Sequence, residues 1–133
     1  MKKLLFTLLL PALLMVAGGC RKNYPIKGAG DNISPQEFAA YVDDPNALVI
    51  DVRTAKEFRY GHIRNAVLID CKTDTFLDAV KRRADKQTTL ALYCRSGRRA
   101  YNAMQQLEAE GYQVVNLKGG YLKWIEMGMK IVK

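Results

Sequence analysis

Cysteine is scarce in this chain: three residues in 133, none of them in a Cys-x-x-Cys pair. That excludes a disulfide-dense scaffold, a zinc ribbon and a dithiol redox motif, so each cysteine has to be read by itself. Histidine is scarcer still, with His62 alone, and one histidine with scattered cysteines supplies no plausible ligand set for a metal. There is no internal repeat and no low-complexity segment. Acidic side chains are in deficit, 13 against 21 basic ones, for a formal charge of +8. With 49% hydrophobic and 26% charged residues, the composition is that of a globular protein of one domain.

Long apolar runs are also absent, with one exception at the start. Lys2 and Lys3 precede the apolar stretch Leu4 to Val16, and the small residues Ala17, Gly18 and Gly19 lead to Cys20. That order is the pattern of a secretory signal over residues 1–19, too short and too interrupted by Pro11 for a permanent membrane helix. The segment resembles a bacterial lipoprotein signal, in which a small residue, here Gly19, precedes a cysteine that is lipidated and becomes the new N-terminus. The resemblance implies Cys20 as the lipidation site. Ala17 stands where such signals usually carry a large aliphatic residue, so Ala17-Gly18-Gly19 also suits an ordinary cleavage site. Either way the expectation is an exported protein, periplasmic or anchored to the outer membrane. Arg21 after the cysteine, in place of Asp, favours the outer membrane by the usual sorting rule.

Lys2 and Lys3 leave with the signal, so 19 basic side chains remain against 13 acidic ones. A surplus of that size suits a small anionic substrate or an anionic lipid surface, whereas an exported protein seldom meets nucleic acid. Lys81-Arg82-Arg83 reads as a solvated helix end.

Residues 20–32, with Pro25 and Gly28 to Gly30, lack hydrophobic periodicity and read as a tether, and residues 33–133 as the domain. Ser34 caps a helix with Pro35 at its first position and Phe38, Tyr41 and Val42 on one side. Leu48 to Val52, Ala66 to Asp70, Thr89 to Tyr93 and Val114 to Leu117 read as strands. The first has the continuous apolar character of a strand covered on both faces. Between them, Thr54 and Glu57 form a capping box for a short helix closed by Gly61. Thr73 or Asp74 caps a helix with Phe76, Leu77 and Val80. Ala100, Ala103, Met104 and Leu107 mark one face of a third, and Gly119-Gly120 turns the chain into a last helical segment with Tyr121, Trp124 and Ile125. The alternation predicts an α/β domain, an open and mainly parallel sheet with helices on both faces.

In such sheets ligands sit beyond the carboxyl ends of the strands, which is where the strand ending at Tyr93 delivers Cys94. Cys94-Arg95-Ser96-Gly97-Arg98-Arg99 lies between that strand and a helix. Amide N–H groups converge in such a turn and the helix directs its positive end there, so the geometry favours an anion. A cysteine at the focus, beside three arginines, is expected to act as a thiolate nucleophile. Cys94 is therefore the candidate catalytic residue, and Arg95, Ser96, Gly97, Arg98, Arg99 and Ala100 are the candidate substrate-binding set.

The segment Tyr93 to Arg99 resembles the active loop of the rhodanese family, in particular the small single-domain rhodaneses of the bacterial envelope. Ile50-Asp51-Val52-Arg53 with Glu57-Phe58, Gly61-His62-Ile63 with Asn65-Ala66, and Asn116 to Gly120 with Trp124 extend the resemblance over about residues 33–128. Departures are Arg64 and Asn65, where the family commonly has Pro and Gly, and Ala100, where a small hydroxyl residue is frequent. The resemblance implies sulfurtransfer. The Cys94 thiolate attacks the outer sulfur of an anionic donor such as thiosulfate, sulfite leaves, and the Cys94 persulfide passes its sulfur to a thiol or to an acceptor like cyanide.

That route calls for no cofactor and no general base, and it matches a loop whose arginines and amides offset repulsion between two anions. His62, in a separate turn, suits a structural hydrogen bond better than a partnership with Cys94. The rival enzyme class, phosphatases with a cysteine-loop-arginine motif, places five residues between cysteine and arginine; here four separate Cys94 from Arg99. The rival of another class is a non-catalytic module that carries or senses sulfur in the cell envelope. Asp51, Arg53 and Glu57 are expected to fix a neighbouring turn. Cys71 is a candidate resolving thiol, or else a neutral packing residue.

Overall fold

The computed structural model describes residues 31–133. The signal, the Cys20 junction and the tether up to residue 30 lie outside the described residues. Five strands, β1 (Asp31–Ile33), β2 (Ala47–Asp51), β3 (Val67–Leu68), β4 (Thr89–Tyr93) and β5 (Gln113–Leu117), form one sheet in the order β1-β5-β4-β2-β3. Every pairing is parallel. The intervening helices are α1 (Pro35–Val42), α2 (Ala55–Tyr60), α3 (Phe76–Arg83), α4 (Arg98–Ala109) and α5 (Gly120–Glu126). This is the expected single α/β domain.

Alternation along the central strand distributes the core. Leu90, Leu92 and Cys94 face a cluster built with Phe76 and Val80 of α3 and Ala100, Ala103, Met104 and Leu107 of α4. Ala91 and Tyr93 face the other cluster, with Phe38 and Val42 of α1 and Tyr121 and Trp124 of α5. A two-residue period in the strand thus sets Cys94 on the α4 side and Tyr93 on the α5 side.

Local chemistry explains the helix starts. Ser34 and Glu37 make a reciprocal capping box on α1, and Thr54 and Glu57 make another on α2. Helix α3 departs from expectation: its N-cap is Thr75, without a side-chain cap bond, in place of Thr73 or Asp74. Thr73 is spent on the preceding turn, where its hydroxyl donates to the Asp70 carbonyl. β3 is shorter than the span Ala66 to Asp70 because the Asp70 carboxylate bends the chain by accepting the Lys72 amide at 2.9 Å.

The expected tether ends earlier than residue 32. Asp31 and Asn32 pair with Val115 and Asn116, so the sheet begins inside the segment read as linker. Three residues of an edge strand are too few to carry a hydrophobic period. Asn65, standing where the family commonly has glycine, adopts φ 65°, a left-handed conformation that asparagine tolerates, and its side chain donates to the Val42 carbonyl at 2.9 Å.

Candidate active site

Tyr93 is the last residue of β4, and Cys94 follows it fully buried at the carboxyl end of the sheet. The expected Arg95-to-Ala100 loop is shorter in the structure: α4 begins at Arg98, with Gly97 as its left-handed N-cap at φ 99°. Only Arg95, Ser96 and Gly97 form the turn; Arg98, Arg99 and Ala100 are the first turn of the helix. The Gly97 N–H donates to Cys94 Sγ at 3.1 Å. First-turn amides have no acceptor within their own helix, so the sulfur sits at the positive end of a twelve-residue helix.

The predicted set divides by position. Arg95, Ser96 and Arg98 are exposed around the turn, Gly97 is buried beneath it, and Arg99 is half-buried. Ala100 is buried in the same apolar cluster as Cys94 and belongs to the core beside it, away from the open face of the turn. Arg99 is not a free cation, because it forms a two-pronged ion pair with Glu57, Nη1 to Oε2 at 3.0 Å and Nη2 to Oε1 at 2.8 Å. That hydrogen bond, working against burial and helped by Thr54, lowers the Glu57 carboxyl to about 2. The same pairing raises Arg99. Glu57 therefore caps α2 and also anchors α4, a role across elements that a local capping signal does not reveal.

Two further supports hold the turn. Gly120 lies so close that a Cβ there would stand 2.6 Å from the carbonyl oxygens of both Cys94 and Arg95. This approach lets the start of α5 clamp the loop: Tyr121 N–H donates to the Cys94 carbonyl at 2.8 Å and Leu122 N–H to the Arg95 carbonyl at 3.1 Å. From β5, the buried Asn116 donates its side-chain amide to the Gly97 carbonyl at 3.0 Å and to Asn32 Oδ1 at 2.7 Å. In the Asn116-to-Gly120 stretch the sequence showed the Gly119-Gly120 turn into the last helix but not that Asn116 and Gly120 hold the loop.

Asp51 and Arg53 do fix a turn, as expected, but in the core. Asp51 is fully buried and Arg53 is 3% exposed; Nε donates to Oδ1 at 2.9 Å and Nη2 to Oδ2 at 2.7 Å. Nη2 also donates to the Gly61 carbonyl at 2.6 Å, and the guanidinium lies 4.1 Å from the Tyr121 ring centre. Burial opposes the Arg53 charge, but the hydrogen bond and charge of Asp51 outweigh it and raise the group. Burial, then the Asp51 charge, raises the Tyr93 hydroxyl, which accepts the Ile63 N–H at 3.0 Å. His62 has the structural part expected of it, with Nδ1 3.0 Å from the Phe58 carbonyl and its ring stacked on Phe58 at 3.6 Å. Cys71 packs half-buried against the cluster containing Cys94, and burial, then Asp70, pushes its thiol up.

A parallel five-stranded domain with a buried thiol, held by a backbone amide in the turn at the carboxyl edge of its sheet, defines a class of thiol-bearing α/β proteins. Residues 34–127 match the Rhodanese-like domain, and the chain belongs to this family. It is 38% identical over 108 residues to a tRNA uridine(34) hydroxylase of Rhizobium leguminosarum, covering 77% of this chain and 34% of that protein. The chain thus spans about a third of the length of the curated relatives it matches. Among solved structures it resembles a rhodanese-like domain protein from Staphylococcus aureus, with 30% identity, a TM-score of 0.65, and 77% of this chain and 99% of that one covered. It also resembles a rhodanese-related protein from Thermoplasma volcanium, with 25% identity, a TM-score of 0.66, and coverage of 77% and 97%.

Proposed function

We propose that this protein is a sulfurtransferase in which the Cys94 thiolate takes a sulfane sulfur from an anionic donor such as thiosulfate and passes it to a thiophilic acceptor. The observation that carries the reading is the Gly97 N–H directed at Cys94 Sγ from the end of α4. An amide fixed in that direction, with the helix start behind it, favours negative charge on sulfur before and after transfer. In the first step Cys94 Sγ bonds to the outer sulfur of thiosulfate, the S–S bond of the donor breaks, and sulfite departs with the electron pair. In the second, the acceptor attacks the outer sulfur of the persulfide and Cys94 leaves as thiolate.

Arg95 and Arg98, exposed on either side of the turn, guide the anionic donor in, while Arg99 positions the helix through Glu57. The lipoprotein-type junction at Gly19-Cys20 supports a place in the cell envelope, with the domain tethered through a lipid on Cys20 or secreted after simple cleavage.

The test is sulfur transfer from thiosulfate to cyanide by the protein and by its Cys94→Ser variant, with intact mass after donor alone. The expected result is a persulfide adduct with turnover, both absent in the variant. An adduct without turnover makes the protein a sulfur carrier, and no adduct from thiosulfate or other sulfane donors on a folded, reduced protein rejects the proposal.

A further inference from the structure

Cys94 follows the last residue of β4, and Cys71 lies in the turn three residues beyond β3, the two flanking Val52. The Val52 N–H donates to the Tyr93 carbonyl at 3.0 Å, and the Val52 carbonyl accepts the Cys71 N–H at 3.2 Å. Both side chains are on the same face of the sheet: Cys94 belongs to the cluster with Val52, Ile69, Phe76 and Ala100, and Cys71 packs against that cluster. The two thiols differ in access, Cys94 being fully buried and Cys71 partly exposed.

Neighbouring strands are about 4.8 Å apart, so two steps across Val52 separate the two Cα atoms by roughly 9–10 Å. A disulfide requires Cα atoms within about 7 Å, so direct pairing, the resolving alternative for Cys71, would need the backbone to move. A persulfide on Cys94 changes the reach, because its outer sulfur extends about 2 Å further from the β4 terminus.

We propose that Cys71 is a second station for the sulfur, receiving it from the Cys94 persulfide and presenting it to thiol acceptors too bulky to reach a fully buried Cys94. The inference rests on the sulfurtransferase reading above. Cys71 sulfur forms a bond to the outer sulfur of Cys94–S–S⁻, the Cys94 S–S bond breaks with its electron pair going to Cys94, and the proton of the Cys71 thiol ends on Cys94. The sulfane sulfur is conserved, and no oxidant or reductant enters. The acceptor class is a thiol carried on a peptide or protein, which attacks the outer sulfur of Cys71–S–S⁻ and leaves Cys71 as thiolate.

The experiment uses the full-length chain carrying Cys20→Ser, so that Cys71 and Cys94 are its two thiols. The protein is treated with thiosulfate, trapped with an alkylating agent and digested, and the added sulfur is located by peptide mass. Sulfane sulfur is expected on both Cys94 and Cys71, and on neither after Cys94→Ser. In Cys71→Ser and Cys71→Ala the Cys94 adduct persists and transfer to cyanide is unchanged, while transfer to glutathione slows by roughly tenfold. Sulfur confined to Cys94, with both Cys71 variants as fast as the parent toward glutathione, overturns the relay and leaves the enzyme reading intact. Sulfur on Cys71 in Cys94→Ser, or a Cys71–Cys94 disulfide formed with release of sulfide, also overturns it. No adduct on Cys94 at all overturns both readings.

Discussion

The carbonyl of Cys94 accepts the backbone N–H of Tyr121 at 2.8 Å, tying the end of the central strand to the first turn of the last helix. Gly120, at φ 61° and without a Cβ, makes that contact possible. Loop shape at Cys94 thus depends on a residue 26 positions further along the chain.

Gly120→Ala is the sharpest test of the clamp. A methyl group there meets two backbone oxygens at 2.6 Å, and neither can turn aside as a flexible side chain would. Backbone strain costs about 1–3 kcal/mol before the clash is counted, and persulfide formation should fall by at least about tenfold. Gly111→Ala is the control: it has φ 91° but open space, so it should lose only about 1–2 kcal/mol and keep its rate. Urea denaturation and thiosulfate turnover of the two variants make the comparison.

The Glu57–Arg99 pair makes stability depend on pH in one direction. Glu57 is lowered from 4.5 to about 2 in the folded protein, so the folded state holds its proton less tightly than the unfolded chain. The stabilisation is complete above the unfolded value and is lost as pH falls through the folded one. Unfolding midpoints compared at about pH 5 and about pH 3 should drop more for the parent than for Glu57→Gln, which lacks this titration. Equal drops in the two proteins would exclude a stabilising pair.

Arg53→Met should be among the most damaging single substitutions. It leaves the Asp51 carboxylate fully buried without its counter-charge and frees the Gly61 carbonyl, a loss of about 3–5 kcal/mol. Replacing both partners, Asp51→Leu with Arg53→Met, should recover part of the loss, since an apolar pair leaves no stranded charge. Thermal melts of the two single variants and the double variant form the cycle. Strict additivity would mean that the pair is not coupled.

Arg95 and Arg98 are exposed, so under the proposed function they attract the donor without bracing the fold. Arg95→Gln with Arg98→Gln should leave the melting temperature nearly unchanged and lower kcat/KM for thiosulfate by roughly three- to tenfold at low salt. Added salt screens surface charge, so the gap between parent and variant should narrow as ionic strength rises. A gap that stays constant with salt would assign these side chains a different role.

Much of the site was legible because its signals are local. Ser34 and Thr54 each find their Glu three residues on, Thr89 to Tyr93 is a strand of that length, and Ala100, Ala103, Met104 and Leu107 share a helical face that is buried. The turn between strand and helix then places Cys94 at the sheet edge by connectivity alone. Less was legible where a residue acts at a distance. Glu57 showed its cap but not its pairing with Arg99, 42 positions away, and Asn116 carried no indication that its amide would hold the Gly97 carbonyl.

The sequence by itself determined the alternation of strands and helices after β1, the capping of the first two helices, and the placing of Cys94 between a strand and a helix, because hydrophobic period, caps and turn residues act within a few positions of one another. Tertiary structure alone decided which arginine stays free in water and which is neutralised, which glycine must lack a Cβ, and which face of the sheet Cys71 shares with Cys94. Those outcomes follow from parallel pairing, which brings β3, β2 and β4 edge to edge and sets α5 against the loop after β4. Contacts between residues far apart in sequence leave no periodic trace, since each partner is satisfied only once the chain has closed on itself.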